Sequence, residues 1–266
     1  MASEASVGGN KASFAPDVSA TGRYVVFASD ATNLVAGDTN GKRDVFLRDL
    51  QTGTTRLVSR GINGAKGNGP SYFPSVSNDG RYVAFMSDAT NLVPGDTNGV
   101  TDAFRTDLST GKTIRVSVAT SGQRANGASE GVRMSANGDA LVFGSAATNL
   151  APRDTNNVND VFLRDHHPGV HVASGNQNVH KSEMPSIAPD GKIVGFVGPV
   201  GLHDAVYSWT VGTRTPTMID DDLDASFETV AASNGGVSYG AIIDYEGLNQ
   251  SSWLNVVAQP ATLSFQ

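Results

Sequence analysis

An Asp-Thr-Asn motif followed four residues later by another aspartate occurs three times in the sequence. The oxygen-bearing side chains stand at positions one, three and seven of each motif: Asp38, Asn40 and Asp44; Asp96, Asn98 and Asp102; and Asp154, Asn156 and Asp160. Carboxylate and amide oxygens at this spacing around a sharp turn can surround a hard cation such as Ca2+. Asp30 and Asp88 precede the first two motifs by eight residues and could complete a shell. Ala146 takes that place before the third, so the spacing predicts Ca2+ sites of which the third is weaker.

The same residues have a second interpretation, in which they shape the turn and bind no metal. Asp and Asn side chains often accept hydrogen bonds from nearby backbone groups and thereby set a turn. Asp204 keeps the seventh position in a later copy that has lost the loop, which favours this interpretation for that position. The motif also lacks the third early oxygen and the distant glutamate of an EF-hand. Both interpretations stay open on the sequence alone.

A second group of side chains could carry out acid-base chemistry. Glu130 and Glu183 hold the positions that Phe14 and Tyr72 hold in earlier copies of the repeat described below, and Glu228 stands close to that position in the last copy. Paired carboxylates are what glycoside hydrolysis uses. The imidazoles of two histidines, His180 and His203, could act with them or bind a divalent metal, although no metal-binding spacing links the two. These five residues are the catalytic candidates, and channel-lining or surface roles are the alternative.

Composition excludes several other classes of protein. The chain of 266 residues has no cysteine, so disulfides, thiolate metal sites and a cysteine nucleophile are excluded. The formal net charge of -7 opposes binding to a phosphate backbone, so we expect no nucleic acid partner. The longest apolar run is about five residues, too short to span a bilayer. The sequence also contains no nucleophile elbow and no phosphate-binding glycine loop in a strand-to-helix setting.

The motifs belong to an internal repeat that begins at Gly22, again at Gly80 and more loosely at Gly138. Between the segments 22–53 and 80–111, 23 of 32 positions are identical. An aromatic position marks all copies, including two fainter ones: Phe27, Phe85, Phe143, Phe196 and Tyr239. Self-similarity at such a regular spacing is typical of solenoids and propellers. The chain therefore contains five repeated units.

Each unit reads as four short strands joined by polar turns, and no segment shows sustained helical periodicity. Four-stranded units of this length are the blades of a β-propeller, so the sequence predicts an all-β fold with one domain over 1–266. The expected blades cover about residues 9–60, 68–118, 127–174, 181–220 and 225–266. Blade five would end with a fourth strand at residues 263–265. Five blades are expected, or six if the sequence is part of a longer chain.

The segment Ser-Asp-Ala-Thr-Asn-Leu-Val-Pro-Gly-Asp-Thr-Asn-Gly from Ser87 resembles the repeats of TolB-like β-propellers, as does the preceding Asp-Gly-Arg-Tyr-Val-Ala-Phe. The match is close over residues 13–165 and reduced to the aromatic position and the first turn in the last two units. The resemblance implies a propeller and export from a bacterial cell. It implies no single activity, because the fold carries both enzymes and binding proteins.

Two functions follow as expectations. The first is a secreted or periplasmic binding propeller, monomeric and with Ca2+ as a candidate stabilising ion, that holds a protein, peptide or glycan ligand on its long-loop face. The second is an enzyme with a one-sided active site on blades three to five, such as a glycan hydrolase or lyase or an enzyme that modifies a small molecule. The absence of cysteine leaves a cytoplasmic location open. Five aromatic residues are candidates for stacking on a ligand: Tyr72, Phe73, Trp209, Tyr245 and Trp253.

Overall fold

The structure is a computed structural model that describes residues 8–152, 154, 158–165, 170–174, 183–200, 203–213, 215–220, 225–233, 236–243 and 252–258. The chain divides into two compact units, residues 1–115 and 116–266. The single domain expected over 1–266 stays a prediction. In the described part of the chain, no helix has the length and apolar character needed to cross a membrane.

The first unit contains two four-stranded antiparallel sheets. Blade one has the order β1-β2-β3-β4, and blade two the order β5-β6-β7-β8. Their bounds are β1 Ser13–Val18, β2 Tyr24–Ser29, β3 Asp44–Asp49, β4 Thr54–Leu57, β5 Ser71–Val76, β6 Tyr82–Ser87, β7 Asp102–Asp107 and β8 Lys112–Arg115. A short 3-10 turn, Ile62–Gly64, lies in the connection between the two sheets.

The second unit contains three sheets. Blades three and four each have four strands in sequence order, and blade five has three in the described residues. The bounds are β9 Ser129–Met134, β10 Leu141–Ser145, β11 Asp160–Arg164, β12 Val170–Val172, β13 Glu183–Ile187, β14 Ile193–Val200, β15 His203–Thr210, β16 Thr217–Asp220, β17 Ala225–Ser233, β18 Gly236–Ile243 and β19 Ser252–Ala258. The fourth strand expected at 263–265 lies outside the described residues.

The sheets are held together by apolar side chains on the faces that blades turn to each other. In the first unit, residues of both sheets, among them Val26, Val45, Phe85 and Phe104, form one buried cluster. In the second unit, a cluster that includes Phe196 and Trp209 joins blades three and four, and a smaller one joins blades four and five. Burial of these surfaces stabilises a blade only next to its neighbour, which is why one blade alone does not make a core.

The aromatic position of the repeat lies in the interior of blades two and three. Phe85 and Phe143 are fully buried, and each stacks on the phenylalanine that pairs with it on the third strand, with ring centroids 5.9 and 5.8 Å apart. Trp209, which the sequence offered as a stacking residue for a ligand, is instead 5% exposed and packs in the core. It faces inward because it pairs with buried Val194 in the middle of blade four.

The turn between the first and second strands places one glycine against an aromatic ring. Gly80 has a φ of +69°, and a β-carbon there would lie 2.6 Å from the ring of Tyr24 in blade one. Gly22, at the same position of blade one, has a φ of +70° and nothing within 4 Å. The two glycines therefore share a backbone conformation and differ in their surroundings.

We predict that Gly80→Ala is much more destabilising than Gly22→Ala. Left-handed backbone costs an alanine about 1 kcal/mol or slightly more at either site. Displacement of Tyr24 adds roughly 1 to 3 kcal/mol at Gly80 alone. Urea unfolding of the two variants should give free energies of unfolding that differ by about this second amount, and equal values would contradict the packing of Tyr24 on Gly80.

Candidate functional site

In blades one to three, side chains that differ between the repeats gather at one edge of the sheet. The first strand starts, the second ends and the third starts at the same edge, because Ser13 pairs with Ser29 and Ser29 pairs with Asp44. We call this edge the loop edge, since the long loops leave from it. Three positions there, which correspond between blades one, two and three, form what we call the edge triplet: Phe14, Asp30 and Arg43; Tyr72, Asp88 and Thr101; and Glu130, Ala146 and Asn159.

In blade one the triplet combines an aromatic ring with an ion pair. The Arg43 guanidinium donates two hydrogen bonds of 3.0 Å to the carboxylate of Asp30. The same guanidinium lies over the ring of Phe14, 4.1 Å from its centroid. The hydrogen bonds from Arg43 lower the pKa of Asp30 below its ordinary value, so the pair stays charged at neutral pH. Asp30, predicted as a Ca2+ ligand, is thus engaged by a guanidinium.

In blade two the same positions form a neutral hydroxyl cluster around a carboxylate. The Tyr72 hydroxyl and the Thr101 hydroxyl donate to Asp88 Oδ1 over 2.7 and 2.6 Å. Phe73 follows with an edge-to-face contact on Tyr72, at 5.5 Å between centroids, and its side chain is 48% exposed. Asp88, also predicted as a Ca2+ ligand, serves here as the acceptor of two hydroxyl groups.

In blade three the position of the aromatic residue is taken by the catalytic candidate Glu130. Its carboxylate accepts a hydrogen bond of 2.6 Å from the amide of Asn159, the third member of the triplet. A β-carbon at Gly144 would lie 3.1 Å from Glu130 Cγ, so the missing side chain of that glycine leaves room for the glutamate. Glu130 is exposed to solvent and is held at the loop edge of its sheet.

The other catalytic candidates are described only in part. Glu183 starts β13, Glu228 lies within β17, and His203 starts β15, where it pairs with Val200; nothing is described of these three side chains. His180 lies outside the described residues. The Glu183 position matches that of Glu130, as the repeat predicts, because both precede a bulge in the first strand of their blade. The catalytic set stays a prediction.

The first strand of blades one to four has a β-bulge near its beginning. The register of β1, β5, β9 and β13 against the second strand shifts by one residue near its beginning. The residue after the triplet's first member has a positive φ: +45° at Ala15, +49° at Phe73 and +63° at Gly131. Such bulges re-aim side chains. A non-glycine residue in this conformation costs about 1 to 2 kcal/mol, so Phe73 is held there at a cost.

The Asp-Thr-Asn loop of blade one ends on a buried carboxylate. Asp44 accepts hydrogen bonds from Ser59 Oγ at 2.5 Å and from Asn40 Nδ2 at 2.8 Å. Asn40 Oδ1 accepts from the backbone N–H of Lys42, which is the turn interaction that the sequence offered as an alternative to metal binding. Burial raises the pKa of Asp44, and the nearby carboxylate of Asp38 raises it further. The charge of Asp38 therefore acts on Asp44.

Asp38, the first residue of this loop motif, carries a buried carboxylate. The residue is 5% exposed, and neither carboxylate oxygen has a hydrogen-bond partner in the described part of the chain. In blade two the equivalent Asp96 is similarly buried, but Arg115 donates to it over 2.7 Å. The Arg115 Nε also lies 3.5 Å from Asp102 Oδ2, so the guanidinium stands between the two predicted ligands.

The loop of blade three is described in part. Asp154 and Asp160 are buried, and Asp160 accepts a hydrogen bond of 2.7 Å from Ser174, as Asp44 does from Ser59. Asn156 lies outside the described residues. In the part of the chain that the structure describes, no three carboxylate or imidazole side chains come together as a metal centre. The Ca2+ sites predicted for these loops thus stay a prediction.

Sequence reasoning missed the cationic and amide partners at this edge. Arg43 and Asn159 occupy the sixth position of the loop motif, where the repeats differ, and no spacing rule marks them. Arg115 lies beyond the motif of blade two, at the end of the fourth strand. Comparison of the two copies marks the position, because its counterpart in the first copy is the apolar Leu57, but it does not show the contact with Asp96.

Solved structures similar to this chain are β-propellers. TolB from Acinetobacter baumannii matches 88% of this chain at 17% identity and a TM-score of 0.52, and TolB from Agrobacterium tumefaciens matches 77% at 18% identity and 0.50. An oligogalacturonate lyase in complex with manganese matches 89% at 12% identity and 0.57. The chain spans 52%, 63% and 60% of the lengths of these proteins. No protein-family model and no curated protein matches the sequence.

The sheets and these similarities define the chain as an all-β protein with the β-propeller fold. The fold is of the TolB-like type, as the repeat motif predicted. At these identities the similarity concerns the fold, and the function must be argued from the loop edge itself.

We predict that Tyr72 ionises far later than an ordinary tyrosine. Burial raises the pKa of its hydroxyl to about 12, and its hydrogen bond to Asp88 adds to the shift. Since an unfolded tyrosine has a pKa of about 10, the stability that Tyr72 contributes should be lost as the pH rises from about 10 to 12. A spectrophotometric titration should show a late step that Tyr72→Phe removes and Asp88→Asn moves to lower pH. A titration unchanged by Tyr72→Phe would contradict the arrangement.

Proposed function

We propose that the chain is a binding propeller that holds a protein, peptide or glycan ligand on its loop edge. The observation that carries the proposal is the edge triplet. Its three positions change from an aromatic ion pair to a hydroxyl cluster to a carboxylate-amide pair, while the strands around them repeat. A repeat scaffold needs the same core in every copy, so side chains that differ at one exposed register are free to serve recognition.

The first two triplets are neighbours, which gives the proposed surface its extent. The backbone N–H of Ser71 donates to the carbonyl of Arg43 over 2.8 Å and joins the start of β5 to the loop edge of blade one. Tyr72 follows Ser71 directly, so the two triplets lie side by side within the first unit. Together they offer aromatic faces, one ion pair and a hydroxyl cluster on a continuous edge.

Exposed aromatic side chains are the strongest sign of a ligand at this edge. Phe14 is 39% exposed and Phe73 is 48% exposed. Aromatic rings with polar neighbours are enriched where proteins bind partners, because they bury a large area with few rotatable bonds. The positive φ of Phe73 supports the same conclusion, since strained residues gather at sites of function.

The proposed ligand class is guided by this chemistry and by the related folds. Ring faces stack on sugars and on apolar side chains alike, and the hydroxyl cluster of Tyr72, Asp88 and Thr101 offers polar groups to either. One protein with a similar fold is an oligogalacturonate lyase, and oligogalacturonate is a glycan that carries carboxylates. With a net charge of -7, this chain is better suited to neutral or basic ligands than to polyanions.

Calcium and export belong to the proposal as expectations. The lyase structure holds manganese, whereas for this chain a metal is proposed at the Asp-Thr-Asn loops, on the strength of the buried Asp38 carboxylate. Such a metal would stabilise the loop that leads to β3 and Arg43. A secreted or periplasmic location and a monomeric state complete the proposal.

We predict that ligands selected on the wild-type protein depend on the aromatic residues of the loop edge. A glycan array and a random peptide phage library are the probes. Tyr72→Ala and Phe73→Ala should each weaken binding of the selected glycan or peptide at least tenfold, because truncation of an aromatic hot spot costs about 2 kcal/mol or more. Affinity is measured by titration calorimetry.

Two exposed apolar residues at the opposite edge of blade one provide the matched controls. Val18→Ala and Leu50→Ala remove side chains that are 55% and 57% exposed at the tight-turn edge, and each should leave binding unchanged. Selected ligands that lose affinity with these controls but not with the Tyr72 or Phe73 variants would overturn the proposal. Failure of both libraries to give any ligand would also count against it.

We predict that Ca2+ raises the unfolding temperature of protein freed of metal by EGTA. A ligand that binds only the folded state raises the free energy of unfolding by RT ln(1 + [L]/Kd). The stabilisation should reach about 2.7 kcal/mol at a Ca2+ concentration one hundred times Kd. Mg2+ should have a smaller effect, because it keeps its water and demands strict octahedral geometry. Identical melts with EGTA and with Ca2+ would contradict the metal part of the proposal and leave ligand binding to be judged separately.

A further inference from the structure

Blades one and two contain the same pair of buried carboxylates in different surroundings. Asp38 and Asp44 correspond to Asp96 and Asp102, and all four residues are buried. In blade two the buried Arg115 guanidinium meets both carboxylates, at 2.7 Å from Asp96 and 3.5 Å from Asp102. In blade two the protein itself thus supplies the positive charge that neutralises Asp96 and Asp102.

Blade one has an apolar residue at the equivalent position. Arg115 pairs with Phe104 across β7 and β8, and in the same register Leu57 pairs with Phe46 across β3 and β4. Leu57 is buried but carries no charge, and both oxygens of Asp38 lack a hydrogen-bond partner in the part of the chain described. A buried carboxylate without hydrogen bonds or a counter-charge is costly, so the pair calls for a cation from solution.

We infer that the Asp38 and Asp44 carboxylates of blade one bind one Ca2+ ion at the place where blade two holds the Arg115 guanidinium. The metal in one copy of the repeat and the guanidinium in the other thus neutralise the same pair of buried carboxylates. This inference rests on the metal part of the proposed function and narrows it. Of the two loops in the first unit, one takes a metal and the other does not.

The chemistry of the blade-one loop favours a hard cation. Its side chains offer oxygen atoms alone, and the sequence has no cysteine, so Ca2+ suits the site better than Zn2+. Lys66 is the nearby cation that could compete. Its ammonium donates to Thr39 Oγ1 over 2.6 Å and forms no ion pair with Asp38 in the described structure.

The first test compares Asp38→Asn with its counterpart Asp96→Asn. In EGTA, Asp38→Asn should melt at a higher temperature than the wild type, because it removes an unpaired buried charge. In saturating Ca2+ the order should reverse. Asp96→Asn should melt lower than the wild type in both conditions, because it leaves Arg115 without its main partner. A variant that only damaged the loop would melt lower in both conditions, so the reversal distinguishes metal binding from structure.

The second test exchanges the residues at positions 57 and 115 between the two blades. Native mass spectrometry with added Ca2+ counts the ions bound per chain, and counts are compared as differences so that any ion in blade three cancels. Leu57→Arg should bind one ion fewer than the wild type and should lose the Ca2+-dependent rise in melting temperature due to blade one. Arg115→Leu should bind one ion more. Asp96→Asn should bind the same number as the wild type.

The outcomes separate this inference from the proposals on which it builds. If the wild type binds Ca2+ and Asp38→Asn and Leu57→Arg bind as many ions as it does, the inference is wrong while a metal elsewhere is still allowed. If the wild type binds none and Lys66→Met acquires a Ca2+-dependent melt, Lys66 is the counter-charge and the inference is again wrong. Neither result affects the proposed binding of a glycan or peptide, which is tested separately with the Tyr72 and Phe73 variants. Should Arg115→Leu fail to fold, the Asp38 and Leu57 variants decide the matter.

Discussion

A buried carboxylate at the start of the third strand organises the loop edge of the blades. Asp44 is fully buried and still carries an acid group, so its oxygens must be met from within the sheet and from the loop. Ser59 meets it from beyond the fourth strand and Asn40 from the loop. Ser174 meets Asp160 in the same way in blade three. This requirement fixes where the loop returns to the sheet, and with it the neighbouring position occupied by Arg43 or Thr101, where recognition is proposed.

The repeat therefore has a fixed part and a variable part for physical reasons. Stacked phenylalanines and valines fill the space between sheets, and any change there is felt at once because the packing is dense. The edge residues Tyr72 and Glu130 form hydrogen bonds with other variable members of their triplets, so different chemistry is tolerated at one register. One buried position also varies between the blades. It holds the apolar Leu57 in blade one and the charged Arg115 in blade two.

Much of this fold could be predicted from the sequence, and the reasons differ by element. The apolar run Val-Phe-Leu between an aspartate and a Thr-Gly turn is typical of a buried strand, and it forms β3. The exact ends of the strands could not be predicted, since they depend on hydrogen bonds that the sequence does not show. The bulge at Phe73 and the contact between Arg115 and Asp96 could not be predicted, because both depend on how strands meet in space. The Asx interaction of Asn40 shows the turn role for that residue, whereas metal binding by the buried Asp38 stays a prediction.

The central claim is that one electrostatic requirement is met by a metal in blade one and by Arg115 in blade two. The most direct test is a crystal structure of the protein grown in Ca2+, with anomalous data collected at a long wavelength. The account predicts an anomalous peak between the carboxylates of Asp38 and Asp44, and the Arg115 guanidinium without a peak between Asp96 and Asp102. A map with no peak at Asp38, or with equal peaks in both blades, would contradict it.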